Sequence, residues 1–196
     1  MALTVTLAAA QVPSRAGDVA HNVAVHVAAA ATAAEHGAAL VVFPELSLTA
    51  YEPRRAAALV VAPHDDRLLP LSALAWERGV TIVAGAPLAS AHGKPHIGAL
   101  VFEPGGVRTY RKMHLGASEP DYFSAGDVPC ALDAGDVRVG LAICADTARP
   151  SHPQAYVARG AHAYAAGVML TREWYDTDAR RLHDHARDFR LLTLMA

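Results

Sequence analysis

Three side chains in this sequence have the types and settings that acyl chemistry requires: Cys144, Glu45 and Lys112. A thiol attacks an acyl or imidate carbon only as its thiolate, so it needs a base nearby. The oxygen that turns negative on the attacked carbon needs a cation or N–H donors. A leaving amine needs a proton, which the same base can return. Each of the three lies at an expected strand end: Glu45 just past residues 38–43 and Pro44, Lys112 after the hairpin strand 107–111, and Cys144 after 137–143. Singly, none is decisive. A lone cysteine after a strand is more often a buried hydrophobe, and a lone glutamate or lysine at a strand end is more often a solvated charge.

The elements that must position them follow from periodicity and breakers. Residues 3–12 read as a first strand, and Asp18 caps a helix over 19–36 that Gly37 ends. Residues 38–43 form a continuous apolar run, which suits a strand covered on both faces. Further helices are expected over 53–61, 65–78, 153–159 and 171–190, and further strands over 80–86 and 163–170. Residues 97–102 and 107–111 flank Glu103-Pro104-Gly105-Gly106, a hairpin signal, and 113–129 is loop-like. The apolar end of the chain, 191–196, reads as a last strand. Alternating strands and helices with one inserted hairpin predict an α/β layered domain over 1–196.

Bulk properties exclude several classes. A chain of 196 residues, 53% apolar and 18% charged, suits one folded domain. A net charge of −2 gives no draw toward nucleic acid or anionic lipid, and no apolar run spans a bilayer. The start lacks a basic n-region and is not read as a signal peptide. Cys130 and Cys144 show no metal or CxxC spacing, so a reducing cytoplasm is the expected compartment and Cys130 a buried thiol.

Three motifs then resemble one family. Phe43-Pro44-Glu45-Leu46-Ser47-Leu48-Thr49-Ala50-Tyr51 is similar to the catalytic-glutamate motif of the carbon–nitrogen hydrolases, the nitrilase and amidase superfamily, with Ala50 where a glycine commonly stands. Tyr110-Arg111-Lys112-Met113-His114-Leu115 resembles its catalytic-lysine motif, and Gly140-Leu141-Ala142-Ile143-Cys144-Ala145-Asp146 its nucleophile motif. The resemblance implies an α-β-β-α layered sandwich, incomplete at the C-terminus, in a homo-oligomer. It implies Cys144 as nucleophile, Glu45 as general base and Lys112, with the Ala145 N–H, as oxyanion partner. Glu119 resembles a second glutamate that positions substrate and lysine. Substrate contacts are expected from Tyr51, Tyr122 and Ala145, the last standing where many members carry an aromatic residue.

The activity so implied is cofactor-free hydrolysis of a non-peptide C–N bond in a small molecule, a linear amide or N-carbamoyl compound ahead of a nitrile. An acyltransferase would use the same triad, and an inactive fragment could serve as an assembly or binding module. No metal site is expected. His183 and His185 are two apart on a helix, and His92 and His96 straddle Gly93 and Pro95 in an expected turn. His114 is expected as a supporting group, and the dense mixed charge of 176–190 as a solvated helix face. Trp174 and Tyr175 are expected to line the pocket or to pack.

Overall fold

Two sheets face each other, each covered outside by helices. The computed structural model describes residues 4–91 and 93–196. Sheet one runs in the order β1 (Thr6–Ala9), β2 (Ala38–Val42), β3 (Thr81–Leu88), β4 (His96–Glu103) and β5 (Gly106–Arg111). Its first three strands are parallel, and the β4–β5 hairpin adds antiparallel pairs. Sheet two runs β6 (Ala131–Ala134), β7 (Val137–Ile143), β8 (Ala163–Gly167) and β9 (Leu192–Met195), with β7 to β9 parallel.

Alternation decides the layering. Leu40 and Val42 of β2 face the other sheet and meet Val139 and Leu141 of β7 in the central core. Val41 points the other way, into a layer shared with Val23 of α1 (Val19–Glu35) and Leu71 of α2 (Leu69–Arg78). On the far side, Ala142, Tyr164 and Ala166 pack against Tyr156 of α3 (Ser151–Val157) and Leu182 of α4 (Arg172–Phe189). The result is the expected α-β-β-α sandwich.

Several boundaries differ from the expectation. The first strand is shorter because only Thr6–Ala9 finds a ladder partner on β2; beyond it, Gln11 to Ser14 wall a cavity. The expected helix 65–78 splits into a 3-10 turn, Asp66–Leu68, and α2, whose first turn accommodates Pro70. The segment 53–61 is a 3-10 helix, Pro53–Leu59. Strand β6, which had no expectation, pairs with β7 across Gly135 and Asp136. The strand expected over 163–170 stops at Gly167, and Val168 to Leu170 turn off the sheet to line the same cavity. His96 opens β4 rather than lying in a turn, and His92 lies outside the described residues. No described helix is long and apolar enough to cross a membrane.

Candidate active site

Glu45 occupies the turn that leaves β2, and two glycines make room for it. A Cβ on Gly85 would stand 2.3 Å from the Leu46 nitrogen, and one on Gly167 2.5 Å from the Phe43 carbonyl oxygen. Glycine is therefore required where β3 and β8 approach this turn. Leu46 (φ 53°) and Ala50 (φ 61°) both take left-handed backbone, which explains why glycine suits the position of Ala50 in the resembling motif.

A buried network anchors the turn from α1. His26 Nδ1 lies 2.7 Å from the Asn22 carbonyl, to which it donates, leaving Nε2 to accept the Ser47 hydroxyl at 2.8 Å. Ser47 Oγ also accepts the Gly85 N–H at 3.2 Å, and Asn22 Nδ2 donates to the Leu48 carbonyl at 3.0 Å. Burial pushes the His26 pKa down to about 4, so this network is neutral at physiological pH.

Lys112 is the next residue after β5, and its N–H continues the ladder onto the Ile97 carbonyl at 2.8 Å. Its side chain is fully buried; Nζ donates to Glu45 Oε1 at 2.6 Å and to Glu119 Oε1 at 2.8 Å. Glu119 is fixed in turn, its Oε2 accepting the Gly116 N–H at 2.6 Å and its Oε1 the Tyr51 hydroxyl at 3.1 Å. Cys144 opens a 3-10 turn straight off β7, with φ 41°. The Glu45 carboxylate and the Met169 backbone are among the groups that act on its thiol. Glu45 Oε2 is buried and accepts no hydrogen bond in the resting geometry.

These surroundings set the protonation states. Burial pushes Glu45 up to about 7 against the pull of Lys112, with the Glu119 charge adding to the rise. Burial, reinforced by the Glu45 charge, pushes the Cys144 thiol up to about 12, although Lys112 opposes it. Burial works against the Lys112 charge, but Glu45, Cys144 and Glu119 outweigh it and hold the ammonium above its ordinary range. The resting site is thus a neutral thiol beside a buried ion pair whose carboxylate titrates near neutrality.

One further carboxylate ties the lysine segment to the cysteine turn. Asp146, fully buried, accepts the Met113 and His114 N–H groups at Oδ1 (3.1 and 2.8 Å). Its Oδ2 accepts the Ile143 N–H at 3.0 Å and the Tyr110 hydroxyl at 2.7 Å. His114 Nδ1 lies 3.1 Å from Oδ1. His152 bridges Tyr110 and Tyr164 at 3.0 and 2.8 Å. His114, Asp146 and His152 offer one ligand atom each within 4.8 Å of one another, but both Asp146 oxygens are already engaged by N–H and O–H donors. From α4, His185 Nε2 reaches the Thr147 carbonyl at 2.8 Å, while His183 on the opposite side faces solvent.

A cavity of about 390 Å³ opens beside Glu45, lined by Tyr51, Met169, Leu170 and Tyr175 among others. Of the residues read from sequence, Glu45, Lys112, Glu119 and Cys144 converge, and Tyr51 joins them through Glu119. Ala145 and Tyr122 are half-buried and are not part of the cavity lining. Trp174 is exposed and outside it, whereas Tyr175 lines it. The charged face of α4 is solvated, with pairs such as Arg187 and Asp184 at 3.2 Å. Cys130 is only half-buried, not enclosed as expected.

Known proteins resemble this chain in sequence and in fold. The carbon–nitrogen hydrolase family profile matches residues 6–185. An (R)-stereoselective amidase of Pseudomonas sp. is 35% identical over 154 residues, covering 77% of this chain and 55% of that protein. A nitrilase of Pyrococcus abyssi is 32% identical over 143 residues, covering 70% of this chain and 55% of that one. The chain thus spans about half the length of these relatives, 55% in both cases. Among solved structures, the NitN amidase of Nesterenkonia sp. AN1 superposes with a TM-score of 0.85 at 28% identity, over 98% of this chain and 79% of that one. With its fold, its motif order and its profile match in agreement, the chain belongs to the carbon–nitrogen hydrolase family.

Proposed function

We propose that this chain carries the reacting groups of a hydrolase that cleaves the C–N bond of a small, uncharged carboxamide. The observation that carries the reading is the shared carboxylate: Glu45 binds the Lys112 ammonium at 2.6 Å through Oε1 and keeps Oε2 unpaired, with the Cys144 thiol among the groups that act on its pKa. A buried carboxylate with a free oxygen and a pKa near 7 is suited to take up and return a proton.

In this reading Oε2 takes the thiol proton as Sγ bonds the amide carbon, and the carbonyl π pair moves onto oxygen. Lys112 and the Ala145 N–H stabilise that oxygen. Glu45 passes its proton to the nitrogen, the C–N bond breaks, and ammonia or an amine leaves a thioester. Water then attacks the thioester, giving one proton to Glu45, and the sulfur leaves and is reprotonated. Glu119 keeps the Lys112 Nζ aimed. Asp146 holds the lysine segment and the cysteine turn in register.

The cavity beside Glu45 supports an uncharged acyl group, since among the described residues Glu45 is the only charged side chain in its lining. Related structures in the same amidase fold are described with butyramide and with acrylamide added at the active-site cysteine, which makes short aliphatic amides the first substrates to try. Ammonia release from butyramide is the test. It should vanish in Cys144→Ala and persist in Cys130→Ala; release by Cys144→Ala at the wild-type rate would reject the reading.

A further inference from the structure

A second cavity, of about 490 Å³, lies at the opposite end of the sandwich, where the outer strands β5 and β6 meet, and shares no lining residue with the cavity at Glu45. Its size falls within the roughly 300–1,000 Å³ typical of small-molecule sites. Four arginines from three parts of the chain line it: Arg108 and Arg111 from β5, Arg138 from β7 and Arg159 from the turn after α3.

Their pairing is uneven. Arg108 is spent on Glu103, with two hydrogen bonds at 2.6 and 2.8 Å, and Arg159 donates to the Ala155 carbonyl at 2.8 Å. Arg111 and Arg138 have no side-chain hydrogen bond or ion pair among the described residues. The single acid in the lining, Asp127, lies within ion-pair distance of none of them. Val128, Pro129 and Tyr156 also line the cavity, Val128 being largely exposed.

Protection of a bare sheet edge calls for charge of either sign. It does not account for two guanidinium groups, Arg111 and Arg138, brought from different sheets to one hollow and left without partners among the described residues. An anion would engage them, since guanidinium groups with free donor edges match phosphate oxygens in paired hydrogen bonds. We propose that this cleft binds a phosphorylated small molecule with a flat or apolar body, of nucleotide size, its phosphates on Arg111 and Arg138 and its body against Val128 and Pro129.

The test is calorimetric titration of the intact chain at low salt with ADP, adenosine and pyrophosphate. ADP should bind with a dissociation constant below about 1 mM, and more tightly than either adenosine or pyrophosphate alone. Arg111→Gln combined with Arg138→Gln should weaken ADP at least about tenfold, since two charge-assisted contacts are lost. Arg172→Gln with Arg180→Gln, on the exposed face of α4, should leave it unchanged. Absence of ADP binding, equal loss in both double variants, or adenosine or pyrophosphate binding as tightly as ADP overturns the proposal. The readout is binding, so its failure leaves the amide chemistry at Cys144 untouched.

Discussion

Replacing Glu45 with glutamine should separate two properties that the site holds together, the reactivity of its thiol and its turnover. Burial sets the Cys144 thiol high, and the Glu45 charge is the next largest contribution to its pKa of about 12. A thiol at 12 rather than 9 holds about a thousandfold less thiolate at neutral pH. Glutamine removes the negative charge and leaves Lys112, so the thiolate fraction in Glu45→Gln should equal or exceed that of the wild type. Iodoacetamide should therefore alkylate Cys144 at least as fast, and distinctly faster at alkaline pH. Ammonia release should fall about 10²- to 10⁴-fold, because no group remains to carry the proton from sulfur to nitrogen. Glutamine takes one carboxylate from the buried Lys112 ammonium and leaves Glu119 at 2.8 Å, so urea unfolding of both forms would separate fold loss from lost chemistry. Rates of alkylation, followed by peptide mass spectrometry with Cys130 as internal reference, and of ammonia release would be measured from pH 6 to 9. In the wild type, ammonia release should climb with pH through about 7 as Glu45 loses its proton. Turnover within tenfold of wild type in Glu45→Gln, or alkylation falling in step with turnover, would refute the reasoning.

Other perturbations follow from the same geometry. Asp146→Asn replaces one acceptor oxygen with a donor among N–H and O–H groups that already point at it. It should lower unfolding free energy in urea by about 1–3 kcal/mol for each donor left unpaired, and ammonia release should drop as well. Ala50→Gly relieves a left-handed φ of 61° and should stabilise the chain by about 1 kcal/mol, a rise in Tm of about 2–4 °C. His26 is lowered from 6.5 to about 4, so its contribution to stability is complete above pH 6.5 and is lost as pH falls toward 4. Glu45, raised from 4.5 to about 7, acts in the opposite sense, its contribution being lost as pH rises from 4.5 to 7. Thermal melts of Glu45→Gln should accordingly gain stability with pH more steeply between 4 and 6.5 than melts of the wild type.

The reacting groups were legible in the sequence because each sits at an expected strand end within a motif that resembles one family. Glu45 follows β2, Lys112 follows β5 and Cys144 follows β7, so the layering of the strands also brings their ends together. Glu119 was legible through its motif alone; nothing in its loop foretold the Gly116 and Tyr51 bonds that fix it. The supports were not legible. Asp146 acts through residues 32 and 33 positions away, and His26 through Ser47, 21 positions away. His185 stood in a helix that read as solvated, yet it is the inward-facing residue that holds the turn after Cys144. Local periodicity reports which face of an element is buried, not which polar atom waits for it on another. Strand β6 escaped for a related reason. Four residues with a single exposed charge, Asp133, give too short an alternation to stand out, and their pairing depends on the turn at Gly135 and Asp136.

The central claim is that Cys144 carries the acyl group during turnover. The direct measurement is acid-quenched peptide mass spectrometry of the chain mixed with butyramide. A butyryl mass on the peptide containing Cys144, absent from the Cys130 peptide and discharged by further incubation after the amide is removed, is the predicted result. Ammonia released with no acyl mass on Cys144, or acylation at another residue, would contradict it.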